Sequence, residues 1–112
     1  MPSSATASRG NIILEVLLTV TLTTPSAPAN TTTVQTYTIA GLQPNDFIEV
    51  NQLSHIVGLS IGNCWVSALN QLSIQFTNNT GSTISATSSA YLINVDRMEN
   101  GYALQNFPAT IQ

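Results

Sequence analysis

Along residues 11–22 apolar and polar side chains alternate with period two. Val16, Leu18, Val20 and Leu22 fall on one side, and Leu17, Thr19 and Thr21 on the other. Alternation of this length predicts a half-buried strand. The Thr/Val-rich continuation favours strand over an amphipathic helix across residues 12–18. The pattern returns at residues 34–40, with Gln35, Tyr37 and Ile39 opposed to Val34, Thr36 and Thr38. It returns again at 47–51, where Ile48 and Val50 share a face. Cys64-Trp65-Val66-Ser67 predicts a strand, residues 68–71 a four-residue loop, and residues 72–77 the returning strand. Leu72, Ile74 and Phe76 are the predicted core positions of that hairpin. Tyr91 to Val95 reads as the last long strand, and residues 83–86 as a short one.

Between these runs lie breakers. Residues 23–33 carry Pro25 and Pro28 and read as a loop or extended linker. In Gly41-Leu42-Gln43-Pro44-Asn45-Asp46, Pro44 fixes φ and Asn45 or Asp46 accepts local hydrogen bonds. Residues 52–62 look irregular, with Gly58 and Gly62 as breakers, and 78–82 form a turn. Six or seven short strands, with no long helical period and no internal repeat, predict an all-β chain. The expected architecture is a single small β-sandwich or barrel of jelly-roll or Ig-like type, with extended arms at both ends. Its expected parts are an N-terminal arm at 1–11, a β domain at 12–96 and a C-terminal arm at 97–112. The first arm is small and polar. The second carries Tyr102, Leu104, Phe107 and Ile111, an apolar density that calls for a partner.

Composition sharpens this picture. The 112 residues include two Arg, no Lys and five acids, so charged residues are 6% of the chain. An average domain has about 25%. Thr, Ser, Asn and Gln supply 45 residues of polar surface instead. Few charges leave little long-range repulsion between copies, which favours association. The sequence therefore predicts a homo-oligomer, with a trimer favoured, and candidate interface residues Ile12, Ile13, Leu14, Trp65, Tyr102, Leu104, Phe107 and Ile111. Trp65 reads equally as a core residue and as an interface anchor.

Other chemistries find little support. Arg9 and Arg97 cannot form the basic stripe that nucleic acid requires. The apolar run 12–22 is interrupted by Glu15 and is too short to span a bilayer. Arg9 before it and Ala27-Pro28-Ala29 after it faintly resemble a secretory leader, against which Glu15 and the Thr alternation argue. Asp46/Glu49 and Asp96/Glu99 read as solvated acids beside turns and strand ends. Cys64 and His55, the only residues of their kinds, show no ligand or nucleophile spacing, so no metal, cofactor or enzymatic activity is expected. Asn30-Thr31-Thr32 and Asn78-Asn79-Thr80 match the glycosylation sequon, as chance allows in so Asn- and Thr-rich a chain.

From Val34 to Arg97 a series of short motifs stands in order. A Thr-rich strand at 36–39 is followed by Gly41-Leu42, Asp46-Phe47-Ile48 and Val50-Asn51. Then come Gly58-Leu59-Ser60-Ile61-Gly62-Asn63, Val66-Ser67-Ala68 and Leu72-Ser73-Ile74-Gln75-Phe76-Thr77-Asn78. A Thr-rich stretch at 80–87 and Tyr91-Leu92-Ile93-Asn94-Val95 close the series. This pattern resembles small bacteriophage virion proteins of the capsid decoration, or cement, kind. Asn70 stands where that pattern often has Asp, and Gln52-Leu53 where it has Lys-Pro. Residues 1–30 and 98–112 lie outside the resemblance. The resemblance implies a structural, non-enzymatic, multi-copy virion protein on the outer surface of the capsid. There it would bind the major capsid protein and bridge capsomers. Two alternatives remain: another tail or head–tail structural component, and a carbohydrate-binding or adhesive β module. The last would need exposed aromatics, and one Trp and three Tyr are all the chain offers.

Overall fold

A computed structural model describes residues 12–98 of the chain. Six strands follow in order: β1 (Ile12–Thr23), β2 (Thr31–Thr38), β3 (Phe47–Gln52), β4 (Leu59–Ala68), β5 (Gln71–Asn78) and β6 (Ser88–Met98). They form two three-stranded antiparallel sheets, β1-β6-β3 and β2-β5-β4. The architecture is the small all-β sandwich that the alternation predicts.

Each sheet has one central strand, and the core follows from that. Leu72, Ile74 and Phe76 of β5 are fully buried, and so are Tyr91 and Ile93 of β6. The edge strands contribute half-buried positions, among them Leu18, Val20, Tyr37 and Val50. The inward set of β1 is Val16, Leu18, Val20 and Leu22, as its alternation requires, while Leu17 points out and is 64% exposed.

Among the described strands only β4 and β5 are joined by a hairpin, and it is tighter than the expected four residues. Ala68 and Gln71 pair, leaving Leu69 and Asn70 as the loop. Asn70 takes φ +63°, a left-handed conformation that Asn tolerates better than most residues. The predicted turn at 41–46 forms as expected. Asp46 N–H donates to Gln43 O at 3.1 Å, Pro44 sits at the second turn position, and Asn45 has φ +77° at the third.

Three expectations need correction. The segment 52–62 is not irregular throughout, because β4 begins at Leu59 and runs through Gly62. A bulge makes this possible: Ile61 pairs with Phe76 and Cys64 with Ile74, so residues 62 and 63 together face Gln75. Gln75 Oε1 accepts the Asn63 N–H at 3.2 Å and satisfies the displaced backbone. Gly58 does break the chain, at φ +89°, and a Cβ there would collide with Thr80 Cγ2. Residues 83–86 form no strand but one bridge, Ala27 with Ile84. The C-terminal boundary also moves. Arg97 and Met98, assigned to an arm, belong to β6 and pair with Leu14 and Ile12. The arms at 1–11 and 99–112 otherwise lie outside the described residues.

The sandwich has two unlike ends. Loops 24–30, 53–58 and 79–87 gather at one, the loop end. At the other, the terminus end, lie the 39–46 connection, the β4–β5 turn, the start of β1 and the finish of β6.

Candidate interaction surface

Strand alternation gives each sheet an outward face, and the two faces differ. On β2-β5-β4 the outward row consists largely of hydroxyls that bond to one another. Thr32 Oγ1 lies 3.2 Å from Thr77 Oγ1, and Thr36 Oγ1 3.1 Å from Ser73 Oγ. Ser73 Oγ in turn donates to Ser67 Oγ at 2.7 Å. Trp65 lies on this face, opposite Ser73, and is half-buried. It belongs to neither the inner core nor the patch described next.

On β1-β6-β3 the outward face changes along its length. Toward the loop end it is Thr21 beside Ala90 and Thr23 beside Ser88, whose hydroxyls are 2.6 Å apart. Toward the terminus end it is apolar and acidic. Glu15, Asp96 and Phe47 stand in one cross-strand row, and Leu17, Asn94 and Glu49 in the next. Phe47 is 56% exposed, Ile13 55% and Met98 47%. Isolated exposed apolar residues are ordinary, but Ile13, Leu17, Phe47 and Met98 converge on one end of one face. Glu15 and Asp96 face each other directly, an arrangement that is destabilising unless a cation answers it. The sole arginine among the described residues, Arg97, is engaged elsewhere. Asn94 Nδ2 donates to Asp96 Oδ2 at 3.1 Å, and Asp96 Oδ1 is buried without a hydrogen-bond partner.

That arginine closes the terminus end. Arg97 Nε donates to Asp46 Oδ1 at 2.8 Å and Nη2 to Asp46 Oδ2 at 2.9 Å, a bidentate pair. Nη2 also reaches Gly41 O at 2.8 Å. Asp46 Oδ2 accepts the Gln43 N–H at 2.9 Å. The Arg97 hydrogen bonds hold the Asp46 carboxyl below its usual range, against the opposing effect of burial, and the Gln43 N–H adds to them. Asn70 ties in the rest: its N–H donates to Leu42 O, its carbonyl accepts from Ile39 N–H, and its Oδ1 accepts from Gly41 N–H.

Of the predicted interface residues, Ile13 lies in the apolar patch, with half-buried Ile12 and Leu14 beside it in β1. Trp65 lies on the opposite sheet. Tyr102, Leu104, Phe107 and Ile111 fall outside the described residues. Leu17, Phe47 and Met98 were not singled out from the sequence, although parity could have found the first two. Each is out of phase with the apolar set that faces the core.

Chemistry of other kinds has little to work with. An open cleft of about 430 Å³ between β3 and β4 is lined in part by Glu49, Val50, Asn63 and Cys64. Burial pushes the Cys64 thiol up, away from the reactive thiolate. His55 is exposed in the 53–58 loop. Among the described residues no group of three His, Cys, Asp or Glu side chains could hold a metal. Of the two sequons, Asn30 is exposed, but Asn78 is fully buried with its amide engaged in the fold. Comparison with known proteins finds no matching family model, no matching curated protein and no matching solved structure.

Proposed function

We propose that the chain is a structural virion protein, a capsid decoration or cement protein that binds the outer capsid surface in many copies and bridges capsomers. The motif series from Val34 to Arg97 brings this reading in. The observation that carries it furthest is the apolar and acidic patch on β1-β6-β3. Its four exposed apolar side chains crowd the end of the sheet where β1 begins and β6 stops. Ile12 and Met98 pair there, so both flanking segments join the domain at the same place as the patch. The complement such a patch fits is an apolar surface with basic groups, set against Glu15, Glu49 and Asp96. The arms at 1–11 and 99–112 would then extend the same contact as tethers, with Tyr102, Leu104, Phe107 and Ile111 as anchors.

The test uses heads that lack this protein. Purified chain is added, unbound material is removed by sedimentation, and the particles are imaged. The expected result is density on the outer surface with the terminus end of β1-β6-β3 against the capsid. The double variant Leu17→Ser, Phe47→Ser should bind at least tenfold more weakly, since two apolar contacts of about 1 kcal/mol or more are lost. Both side chains are exposed, so unfolding stability should move by no more than about 0.5 kcal/mol. Undiminished binding by this variant, or density confined to the tail, sinks the reading.

A further inference from the structure

β1 is an edge strand. It pairs with β6 along one side, and among the described residues no other strand runs along its second side. From Ile13 to Leu22 the backbone groups on that side have no partner among the described residues. Exposed edges invite pairing with another chain, and natural proteins guard them with Lys, Pro, inward charges or short length. Apart from the one outward charge of Glu15 and a bulge at its start, β1 has no such guard. It is twelve residues long, lacks Lys and Pro, and its one charge, Glu15, points outward. Its single irregularity falls between Ile12 and Leu14, so residues 14–22 are regular.

The sequence of that regular stretch is a palindrome on its inward face: Leu14, Val16, Leu18, Val20, Leu22. We propose that two copies pair antiparallel through β1 about a two-fold axis at Leu18, joining two three-stranded sheets into one of six strands. In this register Leu18 meets Leu18 of the second copy, Val16 meets Val20, and Leu14 meets Leu22. Every inward pair is aliphatic. Leu14, Val16, Leu18 and Val20 are only half-buried in the single chain, so pairing removes further apolar surface from water.

On the outward face Leu17 meets Thr19 and Glu15 meets Thr21. The two Glu15 carboxylates lie about 20 Å apart along the strands, beyond a Debye length at physiological salt. Neither charge nor shape opposes the second copy, which is why it is the occupant this edge fits. Nine paired residues span about 30 Å and form about eight backbone hydrogen bonds, within the range of specific interfaces. The arrangement is a two-fold pair, where composition favoured a trimer. It stands whether or not the chain binds a capsid, since the isolated protein should show it.

The test is sedimentation equilibrium of the full chain and of two variants at Thr21, an exposed outward position. The unaltered chain should reversibly form dimers. Thr21→Glu sets a carboxylate against the second copy's Glu15 at two symmetric places and should raise the dissociation constant about tenfold. Thr21→Lys sets an ammonium there and should lower it several-fold, and about 0.5 M salt should shrink both effects. A monomer at every concentration up to millimolar, a stoichiometry other than two, or equal dissociation constants for the two variants would each overturn the proposal.

Discussion

The loop end and the terminus end of the sandwich are each locked by a polar group, and the two locks differ in kind. At the loop end the lock is Asn78, fully buried at the end of β5. Its Nδ2 donates to Ala27 O, Pro28 O and Ser82 O at 2.8–3.1 Å. Its Oδ1 accepts from Thr80 N–H and Thr80 Oγ1 at 2.8 and 2.7 Å. At the terminus end the lock is the Asp46–Arg97 ion pair, with Asp46 2% exposed and Arg97 21%. A neutral amide satisfied on both ends closes its loops without reference to pH, salt or partner. An ion pair whose carboxylate titrates and whose guanidinium is 21% exposed responds to all three. The surfaces agree with the locks: paired hydroxyls cover the loop end of β1-β6-β3, and bare apolar and acidic groups the terminus end. The loop end of this face is finished by its own hydroxyls, although Leu53 and Val57 stay exposed in the 53–58 loop, and the terminus end is left open to a neighbour.

Removing the amide lock should produce the larger effect. Asn78→Ala removes five hydrogen bonds that hold two loops to β5 and strands Pro28 O and the Thr80 N–H, while Ala27 O keeps the Ile84 N–H and Ser82 O the Thr80 hydroxyl. The expected loss is about 3 kcal/mol of unfolding free energy. Because no titrating group is involved, the loss should be the same at pH 4 and pH 7 in urea titrations. A loss below about 1 kcal/mol would mean that the loops hold themselves.

The ion-pair lock should cost less and carry a pH signature. Asp46→Asn at pH 7 should lose about 2 kcal/mol, the scale of hydrogen bonds to charged groups in partly buried sites. The folded-state pKa of Asp46 is depressed by Arg97, so its contribution is complete above the unfolded value of about 3.9 and disappears as pH falls through the folded value. The wild-type chain should therefore lose more stability than Asp46→Asn on acidification below about pH 4. Parallel curves for the two proteins through that range would show that the pair contributes nothing net.

These locks mark the limit of what the sequence discloses. Alternation is a local property, so β1, β2, β3 and the inward triad of β5 stand out without any structure. The turn at 41–46 is legible because Pro44 and Asn45 each restrict the backbone in a known way. What escapes is anything that depends on residues distant in the chain. Asn78 looks like half of a chance sequon until residues 27, 28 and 82 are brought around it. Asp46 looks like a solvated acid until Arg97 arrives from β6. The first half of β4, before Cys64, hides because the bulge at Gly62-Asn63 breaks the period that would announce a strand. The outward patch needs both parity, which Leu17 and Phe47 display, and the sheet order that sets them on one face, which they do not.

The smallest expected effect lies inside the loop-end half of the core and qualifies how finished that end is. Tyr91 is fully buried on β6, paired with Val20 and Gln52. Its hydroxyl has Ser89 beside it, but Tyr91 Oη, Ser89 Oγ and Gln52 Nε2 are all buried without a hydrogen bond of full geometry. Tyr37, on β2, differs: its hydroxyl donates to Thr23 O at 2.7 Å. Taking Tyr91 to Phe removes a desolvated hydroxyl that returns nothing, at the expense of a void about one oxygen in size. The two effects oppose each other, and the net change should lie within about 0.5 kcal/mol of zero. Taking Tyr37 to Phe removes a made bond and should cost about 1 kcal/mol. Chemical denaturation of both variants beside the wild type decides the matter. A Tyr91→Phe loss as large as that of Tyr37→Phe would show that the Tyr91 hydroxyl is bonded in solution, and that the loop end is satisfied throughout its interior.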